Sequence, residues 1–235
     1  MHEWISLIPN VIAYWDEFLK SLSATVQMFL WSSIFIFLFG FLFAIVLIVT
    51  QDGGIRPHRT VHRFVELFIN VFRSIPFLIL MIFLMPLTRA LTGTAVGVKG
   101  AILPLVFGTV PFYTRQVESA LANVGAGKVE AARSMGCSWF EIVWSVYLHE
   151  AVPELIRVTT ITAISLIGLT TMAGAVGAGG IGSFAINYGQ SLHHQDIVNV
   201  CVIILLIVVS LLQTLGNVLA HRTTNRALIH RIVKQ

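Results

Sequence analysis

The chain has 235 residues, of which 56% are hydrophobic and only 11% charged, and its mean hydropathy is +0.85. A soluble domain carries about a quarter charged side chains, so water is the wrong solvent for most of this surface and a bilayer is the expected one. The formal net charge of +4 is spread along the chain instead of being gathered on one polar face, which argues against nucleic acid as a partner.

Over residues 1–20, Trp4, Ile5, Ile8, Val11, Ile12, Trp15, Phe18 and Leu19 recur at three- and four-residue spacings among polar neighbours. This predicts an amphipathic helix lying on membrane lipid, kinked at Pro9. Glu3, Asp16 and Glu17 precede any long apolar run, so no cleaved secretory signal is expected. From Ser21 to Gln51 there is no charged residue, and about 18 apolar residues already suffice for a span. The first span is placed at 24–49.

Arg56, Arg59 and Arg63 follow it, which marks a cytoplasmic loop and puts the N-terminus outside. A second helix is predicted over 62–87, with Arg73 snorkelling near the cytoplasmic interface and Pro76 as an internal kink. A third is predicted over 97–122. It carries Gly100, Pro104, Gly108 and Pro111 between Lys99 and Arg115, so its freed carbonyls need protein neighbours or a lined cavity.

Residues 127–153 form the longest polar interval between apolar regions, and the charge count puts it on the cytoplasmic side. Gly127 to Met135 reads as a short helix closed by Gly136, and Ser138-Trp139-Phe140-Glu141 has the form of a capping box that starts a second helix. Trp139, Phe140 and Trp144 give this helix-turn-helix an apolar surface. On physical grounds that surface serves equally a hairpin resting on lipid or an aromatic knob entering a groove of another protein.

The fourth span, 155–172, is rich in hydroxyls, including Thr159 and Thr162, which either bond their own backbone or line a pathway. The run from Gly174 through Gly177, Gly179, Gly180 and Gly182 satisfies G-x-G-x-x-G, but no soluble strand and helix flank it. A re-entrant turn at an outer gate is the expected use. His193, His194 and Asp196 read as a solvated loop and not as a metal site. The fifth span is 197–219, and 221–235 is a basic cytoplasmic tail.

The fold class is therefore all-α integral membrane, with five transmembrane helices and a cytoplasmic helix-turn-helix inside a transmembrane domain over 21–220. Of the 15 Lys and Arg, those at 56, 59, 63, 128, 133, 222, 226, 231 and 234 fall inside and those at 20, 89 and 99 outside. No nucleophile, base and orienting group stand together, and no Walker-type phosphate loop is present. The chain is not expected to be an enzyme, nor to bind a metal or cofactor.

Glu130-Ala131-Ala132, three residues, Gly136, nine residues and Val146-Tyr147-Leu148 together resemble the E-A-A-x3-G-x9-I-x-L-P signature of the membrane subunits of bacterial ABC importers. His149 stands where that signature has proline. F-R-S-I-P from Phe72, the glycine run from Gly174 and L-x-E-A-x-P from Leu148 narrow the resemblance to the methionine-uptake importer permeases over nearly all residues after about 20. The resemblance implies that 127–153 is the coupling segment docking into an ATP-binding subunit, with Glu130, Ala131, Ala132, Arg133, Gly136, Ser138, Trp139, Phe140 and Glu141 as its contact and turn residues.

It further implies two ATP-binding subunits that carry ATP and Mg, a second copy of this chain, and a periplasmic or lipid-anchored substrate-binding protein, all at the bacterial inner membrane. Arg73, Ser74, Pro76, Thr159, Thr162, Met172, Gly174, Gly177, Gly179, Gly180 and Gly182 are the candidate pathway or gate residues. The rival class is an ATP-independent secondary transporter or channel, in which the broken third helix and the glycine run would form the solute site.

Overall fold

The computed structural model describes residues 8–232, with side chains as far as Thr223, and every regular element among them is helical. Pro9 opens a short first helix, α1 (Pro9–Ala13), where its missing N–H breaks no intrahelical bond. At Tyr14 the backbone leaves helical geometry, with φ −109° and ψ 31°. α2 (Trp15–Thr50) then runs for 36 residues, with Asp16 and Glu17 in its first turn against the positive end of the helix dipole. The expected interfacial helix is thus divided at Tyr14 instead of kinked at Pro9, and its residues 1–7 lie outside the described part. Its C-terminal half is continuous with the first span.

α3 (Arg59–Ser74) and α4 (Phe77–Thr92) replace the single helix expected over 62–87. Pro76 is extended, with ψ 135°, and proline disfavours helical geometry in the residue before it. The helix therefore stops at Ser74 and restarts. α4 closes on Gly93 in the left-handed region, φ 79°. α5 (Gly97–Ala122) has the boundaries read from the sequence and stays helical through Pro104 and Pro111.

After α6 (Ala126–Ser134), α7 (Trp139–Ala178) extends over 40 residues and runs unbroken as far as Ala173. The helix does not break at His149 or Pro153: His149 begins the regular stretch His149–Ala173, and Pro153 lies inside it. The hydrogen bonding widens to π-helical over Ile142–Leu148, and near its end α7 kinks, with Val176 (φ −107°, ψ 19°) and Gly177 (φ 89°, ψ 14°) outside helical geometry. A proline inside an α-helix clashes with the carbonyl four residues back, here His149, immediately after the first widened stretch. α8 (Gly180–Phe184), a widened turn at Ala185–Gln190 and α9 (Gln195–Ile232) complete the order.

Among the described residues three helices, α2, α7 and α9, are long and apolar enough to cross a membrane, and the broken pair α3–α4, taken as one span, brings the number to four. α5 spans 26 residues, but Lys99, Arg115 and Glu118 dilute its apolar run.

The chain divides into two compact units. The first comprises residues through Phe35, Ile75–Gly108 and Ala163–Leu211. Its core gathers Val11, Phe18, Ile181, Phe184, Ile197 and Cys201. Asn10 ties α1 to α9 by donating from its backbone and its side-chain amide to the two Asp196 carboxylate oxygens, each at 3.0 Å. Thr25 accepts from the buried Ile181 N–H at 2.8 Å.

The second unit comprises Ile36–Ser74, Thr109–Thr162 and residues from Leu212 onward. Gly40 lets the ring of Tyr113 lie against α2, since a Cβ there would stand 2.6 Å from Tyr113 Cδ1. Phe37 meets the same ring edge-on at 5.1 Å. Arg115 binds Glu118 at 2.8 Å on its own helix and, on α3, Glu66 at 3.3 Å and Asn70 at 2.9 Å. One guanidinium fork thereby fastens α5 to α3.

Candidate functional site

The polar interval folds within the second unit as the helix-turn-helix of α6 and the start of α7. Gly136 takes φ +82°. The Cys137 N–H reaches the Ala132 carbonyl at 3.1 Å and the Gly136 N–H reaches that of Arg133 at 3.0 Å, the hydrogen-bond pair of a Schellman motif. The turn is thus held by backbone geometry that a left-handed glycine permits.

Two residues later the capping box is complete. The Ser138 hydroxyl accepts from the Glu141 N–H at 3.4 Å, and the Glu141 carboxylate accepts from the Ser138 N–H at 2.7 Å and from its hydroxyl at 2.8 Å. These bonds, the backbone one foremost, hold the Glu141 carboxyl below its usual value. A further brace went unseen in the sequence: Lys128 of α6 pairs with Glu150 of α7 at 2.6 Å. Because the partners are 22 residues apart across a turn, no local pattern announces the pair.

One side of this hairpin is packed and the other is bare. Ala132, Ile142, Val143 and Tyr147 are buried, whereas Glu130, Ala131 and Arg133 are exposed. Only Ala132 of the two alanines therefore forms the packed face. Trp139, Phe140 and Trp144 are 44%, 59% and 65% exposed, and Phe140 stacks on Trp144 with centroids 6.3 Å apart. Met135, 76% exposed at the end of α6, adds a polarizable side chain to the apolar knob that the sequence reading overlooked.

The candidate pathway residues are distributed over both units. In the second, Arg73 is exposed in the last turn of α3, and the Ser74 hydroxyl donates to the Val71 carbonyl at 2.8 Å. Thr162 is buried and donates to its own helix at Val158, 2.8 Å, while Thr159 shares a 2.9 Å hydrogen bond with Tyr113. Both hydroxyls are hydrogen-bonded within the chain.

In the first unit, Pro76 is the exposed residue before α4 and Met172 is 51% exposed. Gly177, Gly179 and Gly180 take φ of 89°, 80° and 81°. Gly174 has the Ser183 nitrogen 2.6 Å from where its Cβ would stand. The glycine run is thus a tight, left-handed reversal seated on buried neighbours, with Gly180 against Thr25 and Met28.

Comparison with known proteins matches this architecture. The family described as binding-protein-dependent transport system inner membrane component matches residues 38–227. A probable D-methionine transport system permease protein, MetI, of Vibrio cholerae is 36% identical over 225 residues, covering 92% of this chain and 99% of its own length. A methionine import system permease protein, MetP, of Bacillus subtilis is 40% identical over 176 residues, covering 75% of this chain and 79% of its own.

A solved structure of inward-facing MetNI methionine ABC transporter superposes with a TM-score of 0.86 at 37% identity, covering 90% of this chain and 98% of that one. A structure of an amino acid ABC transporter, at 14% identity and TM-score 0.76, shares the fold alone. The chain therefore belongs to the inner-membrane components of binding-protein-dependent transport systems, multi-pass bacterial permeases, and has the fold of the MetI-type members.

Proposed function

We propose that this chain is the permease subunit of a methionine ABC importer, paired with a second copy of itself around the translocation pathway. Two ATP-binding subunits supply ATP and Mg, and a periplasmic or lipid-anchored binding protein delivers the amino acid. The observation that carries this reading is the bare aromatic knob of Trp139, Phe140 and Trp144. It is presented on a turn held by Gly136 and a complete capping box, in the segment that carries the family signature.

In this reading the knob enters a groove of the ATP-binding subunit, and the Lys128–Glu150 pair makes the two helices move as one piece. Closure of the ATP-binding pair then displaces the hairpin, and rocking of the permease subunits alternates access. α5 and the broken α3–α4 pair join α2, α7 and α9 as five spans, which sets the N-terminus outside and the tail in the cytoplasm. The transmembrane domain covers 21–220, and the reversal at Gly174–Gly182 serves as the outer gate.

The test is reconstitution. The chain copurified with an ATP-binding subunit should take up labelled methionine only with ATP and binding protein present. Uptake by the chain alone, without ATP, would overturn the importer reading.

A further inference from the structure

Within the first unit, a cavity of about 530 Å³ opens between the fourth and fifth turns of α2 and the start of α5. Its wall on α2 is Gln27 and Trp31, one helical turn apart and both exposed. Its wall on the other side is Val96, Val98, Lys99 and Ile102. Lys99 is exposed and makes no ion pair among the described residues. Gln27 gives one amide hydrogen to Ser23 Oγ at 3.0 Å and keeps the second. The cavity thus has an amphiphilic plan: one free cation and one amide donor at its rim, with valine, isoleucine and indole surface below.

We propose that this cavity binds an anionic phospholipid. The headgroup phosphate pairs with the Lys99 ammonium and accepts from Gln27, and an acyl chain lies along Trp31, Val98 and Ile102. A zwitterionic lipid offers the same phosphate together with its own cation, so the uncompensated lysine selects the anionic class. Trp31 and Lys99 line the same cavity, and tryptophan and lysine are the side chains that pair an apolar body with a polar tip near a membrane interface. The topology proposed above decides only which leaflet supplies the lipid; in that topology it is the outer one.

The experiment uses the full chain, purified in a neutral detergent and delipidated. Phosphatidylglycerol, phosphatidylcholine, glycerol phosphate and inorganic phosphate are each titrated, with bound lipid read by native mass spectrometry and Tm followed in parallel. Phosphatidylglycerol should be retained by the wild type and bound about five-fold more weakly by Lys99→Gln, the order of effect of one lysine at an anionic surface. Lys99→Arg should restore binding. Lys20→Gln, which removes a cation paired with Glu17 at 2.7 Å and outside the cavity, should leave it unchanged.

Equal retention by Lys99→Gln would overturn the proposal. Equal protection by inorganic phosphate or glycerol phosphate would make this a free-anion site and overturn the lipid assignment. Shielding of Lys99 from amine acylation on dimerisation of the delipidated protein would show that a second copy, and not lipid, covers the cavity. None of these readouts depends on uptake, so the lipid site and the importer reading fail separately.

Discussion

Gly136 and Gly180 both hold a positive φ, +82° and +81°, in different surroundings. Around the position of a Gly136 Cβ there is no heavy atom within 4 Å, so a substitution there is opposed by backbone conformation alone. Gly136→Val should lose about 1–2 kcal/mol in the turn and Gly136→Asn much less, because asparagine tolerates the left-handed region. Uptake by reconstituted complexes should rank glycine, asparagine, valine.

At Gly180 a Cβ would also stand 2.7 Å from Thr25 Oγ1 and 2.8 Å from Met28 Cε, so Gly180→Ala should lower Tm more than Gly136→Ala does. Thr25→Val leaves the buried Ile181 N–H without its acceptor, a loss of about 1–3 kcal/mol, to be read from Tm in detergent. Glu141 adds a pH dependence of known sign. Its folded-state pKa is lowered, so its capping contribution is full above the ordinary carboxylate value and is lost as pH falls through the lowered one. Gly136 and the Ser138–Glu141 box were legible in the sequence because they are local. The Thr25–Ile181 bond joins residues 156 apart and leaves no trace in spacing.

Among the elements, α3 and α5 are held by Arg115, whose side chain is only 22% exposed and serves Glu118, Glu66 and Asn70. Arg115→Met would leave Glu118, itself 17% exposed, without its cation. A Tm loss several degrees greater than that of Arg115→Lys is expected, since lysine keeps the charge and forfeits the fork. Equal losses would mean that charge alone carries the contact.

Helix boundaries were legible where a punctuating glycine also takes a positive φ, as at Gly97 (+73°) and Gly136 (+82°). They were misread where proline is ambiguous. Pro76 breaks a helix expected to bend, while Pro104, Pro111 and Pro153 sit inside helices that continue. Proline removes one hydrogen bond in every case, and the packing around it, invisible in sequence, decides whether the helix survives. The length of α7 was hidden for the same reason: the polar face of its first turns and the apolar face of its span read as separate segments, although the backbone joins them through the widened stretch at Ile142–Leu148.

For the whole molecule, composition alone identified the solvent, and the resemblance named the family to which residues 38–227 belong. The aromatic surface of the hairpin was legible in the sequence, whereas the exposure of Met135 beside it and the burial of Ile142, Val143 and Tyr147 behind it were not. The hairpin leaves Met135, Trp139, Phe140 and Trp144 exposed at the end of an otherwise braced segment, and fully desolvated aromatic anchors of this kind each supply about 2 kcal/mol or more at protein interfaces. In the proposed importer this knob transmits the work of ATP hydrolysis to the permease.

The most direct measurement is the ratio of methionine imported to ATP hydrolysed by the reconstituted complex, comparing wild type with Phe140→Ala/Trp144→Ala, both exposed positions whose truncation leaves the packed side of the hairpin intact. Uptake should fall at least ten-fold, with weakened copurification of the ATP-binding subunit and an unchanged Tm of the isolated chain. A wild-type ratio with full copurification would contradict the claim.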